Sequence, residues 1–150
     1  MLIEYIITLL LSIAPVSEAR GAIIYGSAAG LNIYLVLILS ILVNILVAPL
    51  VFLILKKARF RDFANKVMGQ RISGIIQKNK EKFENYQEFA LMLFVAVPLP
   101  GTGAWTGAIL ASALNLDDKK SFVAISLGVV IAAIIIFLGV VGVTALAKFI

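Results

Sequence analysis

The chain contains no cysteine and no histidine. The first absence excludes disulfides and thiolate chemistry, and the second removes the commonest metal ligand and general base. No metal or other cofactor is therefore expected. Charge is also scarce, at 14% of 150 residues, and little of it lies in the apolar runs. Between Glu4 and Lys56 only Glu18 and Arg20 are charged, and Phe89 to Leu116 carries no charge at all. What is abundant is apolar side chain, 62% of the sequence, against about half in soluble domains. Long uncharged apolar runs of this kind predict an all-α integral membrane protein, and the length allows a single domain.

The net charge is +5, and nine of the thirteen basic residues fall between Lys56 and Lys82. An excess of Lys and Arg marks the inner side of a membrane, so segment 56–88 is expected in the cytoplasm of a multi-pass protein of the cell membrane. Nucleic acid is not expected as a partner, because the basic segment is flanked by runs that must enter lipid. A cleavable leader is not expected either. Ser17-Glu18-Ala19 offers a small-x-small site, but the first residues carry Glu4 and no Lys or Arg.

A spanning helix needs about 20 apolar residues. Leu2 to Ala14, ended by Pro15, is too short, and Gly21 to Leu55 is too long for one straight helix. Gly26, Gly30 and Asn32 divide the latter into a short arm and a span from about Ile33 to Leu55, kinked by Pro49. Apolar residues at steps of three and four between Phe60 and Tyr86, with Lys and Arg between them, predict a basic amphipathic helix. It either lies on an anionic leaflet or packs as a linker on its own bundle. Phe89 to Leu116 is broken by Pro98, Pro100, Gly101 and Gly103, and Ser121 to Ala147 forms a last span.

The two halves, 1–55 and 89–150, read as a repeat. Ala14-Pro15-Val16 matches Val97-Pro98-Leu99, and at the same offset Leu31-Asn32 matches Leu114-Asn115 and Ala28 matches Ala111. Residues 116–120 then count as an insertion before the second span. If each broken segment is a re-entrant hairpin, the first span ends inside at Lys56 and the last exits outward. That is an inverted repeat of re-entrant helical hairpin plus transmembrane helix, an arrangement of many transporters. If the broken segments cross fully, the protein is a four-span bundle.

Irregular backbone at bilayer depth is tolerated only where protein or trapped water satisfies it. Ser17 is the expected N-cap of a half-helix from about Glu18, and Thr102 that of one from Gly103. Both half-helices would aim free N–H groups into the middle of the protein, and Arg20 adds a full positive charge. Such a pocket suits an anion. A charge at the bilayer centre costs about 2.5–3.5 kcal/mol on insertion scales, so Arg20 needs a partner, and Glu18 is the expected one in the empty state. Two residues apart, they do not share a helix face. A direct pair therefore needs a non-helical turn; otherwise the partner lies on the other hairpin. The plainer readings are a buried pair that only fixes the hairpin, or two side chains hydrated at the interface. Trp105 either anchors at the membrane surface or lines the pocket with its N–H.

SEARGAIIYG (17–26) together with PLPGTGAWTG (98–107) resembles the small multidrug export protein family along essentially the whole chain. That resemblance implies a prokaryotic membrane protein with an efflux role. More distantly, the two-hairpin architecture is similar to the DedA/VTT superfamily, whose members are implicated in moving polyprenyl phosphates or phospholipids across bilayers. Hairpins there carry acidic and arginine residues beside prolines. Glu18 and Arg20 fill those roles by position, while the second hairpin here has neither. The small multidrug resistance family uses one membrane glutamate; Glu18 matches it in kind, but Arg20 beside it does not suit cationic drugs.

The expectation is a proton-coupled transporter or flippase for an anionic amphiphile such as a lipid phosphate. Arg20 and the half-helix starts at Ser17 and Thr102 hold the head group, with Trp105 at the pocket. Glu18 exchanges protons, and Pro15, Pro98, Pro100, Gly101 and Gly103 shape the tips. Proton-coupled efflux of cations through Glu18 and a non-transporting scaffold docked by its basic helix are the alternatives. An intramembrane enzyme is not expected, because the second hairpin offers no carboxylate or base to work with Glu18. Membrane lipids are the expected partners, with a second copy of the chain, since so few elements enclose little volume.

Overall fold

The structure is a computed structural model that describes residues 2–57 and 80–147. Its elements are helices: α1 (Leu2–Ile13), α2 (Glu18–Ala28), α3 (Ile33–Lys57), α4 (Lys80–Ala96), α5 (Ala104–Ala113) and α6 (Asp118–Leu146). The order is helix, break, short helix, long helix, and then the same again. The amphipathic helix expected over 56–88 lies largely outside the described residues. At its ends, Lys56 and Lys57 close α3, and α4 runs unbroken across the 88/89 boundary at which the second repeat was expected to begin.

Length separates the helices into two kinds. Ile33–Leu55 and Asp118–Leu146 are long and apolar enough to cross a membrane. Helices α1, α2 and α5 have 12, 11 and 10 residues. At about 1.5 Å per residue they reach roughly half of the ~30 Å hydrocarbon layer.

The surface is more apolar than that of a soluble bundle, and a few polar groups lie inside an otherwise apolar core. Leu35, Ile38, Leu42, Leu46 and Leu53 of α3 are exposed, whereas Ser40 and Asn44 on the same helix are buried. Thr8, Ser12, Glu18 and Ser121 are buried as well. Polar groups inside and leucine outside is the distribution a lipid solvent selects.

Two of the short helices, α2 and α5, sit between the two long ones. Helix α2 packs on α3 and α6, and α5 likewise packs on α3 and α6. The buried face of α5 is Ala104, Gly107, Ala108 and Ala111, small enough to let backbones approach closely.

The links from short to long helix are built alike. Gly30 at φ 70° and Asn115 at φ 53° terminate α2 and α5 in left-handed conformations. In each, the following leucine N–H reaches back to the helix: Leu31 to Gly26 O and Leu116 to Ala111 O, both 3.0 Å. This is the Schellman closure, for which Gly and Asn are the favoured residues. The next residue then caps the long helix. Asn32 Oδ1 accepts from the N–H of Tyr34 and Leu35 at 3.1 and 3.2 Å, and Asp117 Oδ1 from Lys120 N–H at 2.9 Å.

The caps line the two halves up differently from the expected matches. Leu31-Asn32 corresponds to Leu116-Asp117, not Leu114-Asn115, and Ala28 to Ala113. The first break is four residues (14–17) and the second seven (97–103), while α5 is one residue shorter than α2. The offset therefore changes at the break. Leu116 and Asp117 are the cap, not inserted sequence, and the last helix begins at Asp118 rather than Ser121.

Two predictions follow from the caps. Asn32→Ala should lower the unfolding temperature in detergent, with a cost of about 1 kcal/mol. The Asp117 carboxyl is held below its usual value, chiefly by Lys120 N–H. Its contribution to stability is therefore complete above the unfolded value, about pH 4, and is lost as pH falls through the lower folded value. Acid melts should show this loss in the native protein and not in Asp117→Asn.

Candidate functional site

The two breaks interlock. Glu18 opens α2 at φ 51°, a left-handed conformation that costs a non-glycine residue about 1–2 kcal/mol. Its side chain reaches the start of α5, where the carboxylate accepts from Trp105 N–H at 3.3 Å. Gly103 makes room for it: a Cβ on Gly103 would fall inside the Glu18 carboxylate. Two residues on, Arg20 crosses to the same break. Its Nη2 donates to Val95 O at 3.1 Å, and its Nη1 donates to Leu99 O and to Thr102 Oγ1, the latter at 3.2 Å. Trp105 locks the join from the other side, donating from Nε1 to Ile13 O at 2.8 Å.

The electrostatics follow from the helix ends. A helix start is a site of partial positive charge and unsatisfied N–H, and a helix end one of negative charge and unsatisfied C=O. The Glu18 carboxylate sits on the start of α5. The Arg20 guanidinium sits on the last turn of α4, where Val95 lies, and on the turn after it. Each ion from the first half thus satisfies the opposite pole of the second half's break. Among the described residues no direct Glu18–Arg20 ion pair is present, so Glu18 is not the partner of Arg20 as expected. The partners lie on the other break, because spacing by two keeps the side chains off a common helix face.

The expected caps are also corrected. Ser17 stands at the N-cap position of α2, but its backbone is helical and its side chain makes no cap bond. Its hydroxyl instead donates back to Leu11 O, so the turn is tied to α1. Thr102 is not a cap either; α5 begins at Ala104 with Gly103 as N-cap. The Thr102 hydroxyl faces Val97 O and Leu99 O at 2.6 and 2.9 Å and receives Arg20. The cap of α5 comes in trans, from Glu18. Pro15, Pro100 and Gly101 are exposed on the two turns and Pro98 is half-exposed, with Gly101 turning at φ 84°.

One residue of the site escaped the sequence reading. Asn44 is 1% exposed, and its Nδ2 donates to Ser12 O at 3.0 Å. It lines a cavity of about 10 Å³ with Glu18, Ala19, Arg20, Val129, Ala132 and Ala133, room for about one water molecule. The signal was present: Asn44 is the lone amide in the apolar run 33–55, and such residues in a membrane helix are placed for a reason. A larger cavity of about 440 Å³, lined by Pro49, Phe52, Leu53, Asp118, Lys119, Phe122 and Val123, shares none of these residues and is apolar. Among the described residues no cluster of His, Cys, Asp or Glu could hold a metal ion.

The sequence profile of the family described as "Putative small multi-drug export protein" matches residues 18–135, from Glu18 at the start of α2 through the second break and into α6. No match was found among curated proteins or among solved structures. The matched range covers most of the chain, with Glu18, Arg20, Asn44, Thr102, Gly103 and Trp105 inside it: this membrane protein belongs to the small multi-drug export protein family.

Proposed function

We propose that the protein moves an anionic amphiphile, of the kind a phosphate head group and acyl chain make, across the membrane. The observation that carries this reading is the Glu18 carboxylate seated on the start of α5. A helix start is a ready-made anion site, and here an internal anion occupies it. Glu18 is thus a stand-in for the substrate's head group, to be displaced when substrate arrives. Arg20, already beside the site, supplies the counter-charge. A cation in the same place would face the positive pole of α5 and Arg20 together, which disfavours cationic drugs. In this reading α1–α2 and α4–α5 are re-entrant hairpins entering from opposite sides, the two halves form an inverted repeat, and segment 56–88 is cytoplasmic.

Reconstitution in lipid vesicles tests it. With a fluorescently tagged anionic phospholipid, dithionite should bleach nearly all label in protein-containing vesicles and only the outer-leaflet share in empty ones. Arg20→Gln should return the bleached share toward that of empty vesicles. Movement of ethidium without movement of lipid replaces the reading with cation efflux through Glu18.

A further inference from the structure

The interlock does not use Asn44. Its Nδ2 is taken by Ser12 O, which fixes the amide, while Asn44 Oδ1 is buried with no partner among the described residues. An orphaned acceptor inside a protein is costly enough to need a donor in some state of the molecule. Asn44, Glu18 and Arg20 line the same small cavity, about 10 Å³, which admits about one water and no head group. Whatever reaches Oδ1 is therefore a water or a neighbouring O–H or N–H. Glu18 lies between two destinations, the start of α5 and this cavity. An ionised carboxylate cannot donate, but a protonated carboxyl can.

Charge balance says when it would be protonated. Glu18 and Arg20 sum to zero. A monoanion arriving at the α5 start leaves the site with one uncompensated negative charge in a low-dielectric interior, which is strongly unfavourable. One proton on Glu18 restores neutrality. Arg20 is the charged neighbour that bears on Glu18. Against it α3 brings Asn44, α5 the Trp105 N–H, and α6 the uncharged Val129, Ala132 and Ala133. On α1 the ionisable groups Glu4 and Tyr5 lie in the first turn, roughly 13 Å along the helix from Ile13.

Resting on the anion reading above, we infer that Asn44 is the partner of the protonated Glu18, and that one proton enters the site with each negative charge bound. The proton comes from the aqueous side and forms an O–H bond on Glu18. The carboxyl leaves Trp105 N–H to the substrate anion and donates to Asn44 Oδ1. Release of the anion reverses each step, and the proton leaves by the same side. Glu18 then swings between α5 and α3, and Asn44 positions it in the second state.

The test uses the full chain in detergent with dihexyl phosphate, a monoanion at neutral pH that brings no titrating proton. Calorimetric titration in two buffers of different ionisation enthalpy counts protons. The expected result is one proton taken up per anion bound, with a protonated-carboxyl infrared band that appears on binding and is absent in Glu18→Gln. Asn44→Leu should bind about tenfold more weakly and move the band to the frequency of a carboxyl without an amide partner. Asn44→Thr, which keeps an oxygen acceptor in less volume, serves where Leu does not fold, and should retain the uptake. Binding without proton uptake or without the band overturns the inference and leaves the anion reading standing. An Asn44→Leu protein with native affinity and an unmoved band also overturns it. Failure of dihexyl phosphate to bind at all overturns the anion reading itself.

Discussion

Gly103→Ala is expected to unlock the two halves of the molecule, although it adds a single methyl group. The new Cβ would occupy the space of the Glu18 carboxylate, which cannot shift without leaving Trp105 N–H. The backbone at Gly103 is extended, with φ −95° and ψ −158°, so alanine is not excluded by conformation. What excludes it is the close approach. Overpacking alone costs about 1–3 kcal/mol, and a lost hydrogen bond to a charged group about 1.5–3 kcal/mol. A total of about 3 kcal/mol is expected, because the two overlap. A double-mutant cycle isolates the cause. Glu18→Ala removes the obstructing carboxylate, so Gly103→Ala in that background should cost little more than Glu18→Ala alone. Unfolding temperatures in detergent decide: simple additivity would mean that Gly103 and Glu18 do not share this space.

The same pair shows how far the sequence could be read. That Glu18 and Arg20 mark a site was legible, because ionised groups in an apolar run need a reason. The breaks at Pro15 and at Pro98–Gly103 were legible too, since proline and glycine punctuate helices wherever they fall. What satisfied those breaks was not. Local rules assign a helix start to the nearest Ser or Thr, and both Ser17 and Thr102 stood where such rules look. The actual donor and acceptor arrive from about eighty residues away, a contact that no local pattern encodes. Asn44 was passed over for a related reason: its role depends on which face of α3 meets α1 and α2, and the apolar run around it has no amphipathic stripe to reveal that face.

The alignment of the two halves illustrates a different limit. Matching prolines fixed the offset before the break, and apolar residues after it match by chance at several offsets. The cap chemistry is more specific than hydropathy. Ser27-Ala28 with Gly30-Leu31-Asn32 and Ser112-Ala113 with Asn115-Leu116-Asp117 are the same device, a left-handed closure followed at once by an N-cap. Gly and Asn are interchangeable there for a physical reason, as are Asn and Asp. Identity counting does not see either equivalence.

Arg20→Met is expected to cost about 3 kcal/mol and, on the proposed anion reading, to abolish movement of anionic lipid. Removing one member of a buried charge set typically costs 3–5 kcal/mol, about the lower end where the side chain is partly exposed, as Arg20 is. Two effects combine. Val95 O at the end of α4 loses its donor, and the site is left with the Glu18 carboxylate uncompensated. The double variant Glu18→Gln/Arg20→Met cancels the second effect and not the first, so it should melt above Arg20→Met alone. Arg20→Lys makes the complementary separation. An ammonium keeps the charge but lacks the planar fork that spans Val95 O, Leu99 O and Thr102 Oγ1 at once. It should recover part of the transport through its charge while the melting temperature stays depressed through the lost bridge. Transport at the native rate in Arg20→Met vesicles would remove the counter-charge from the mechanism. The start of α5 would then have to hold its anion unaided, against the buried Glu18 carboxylate that competes for it.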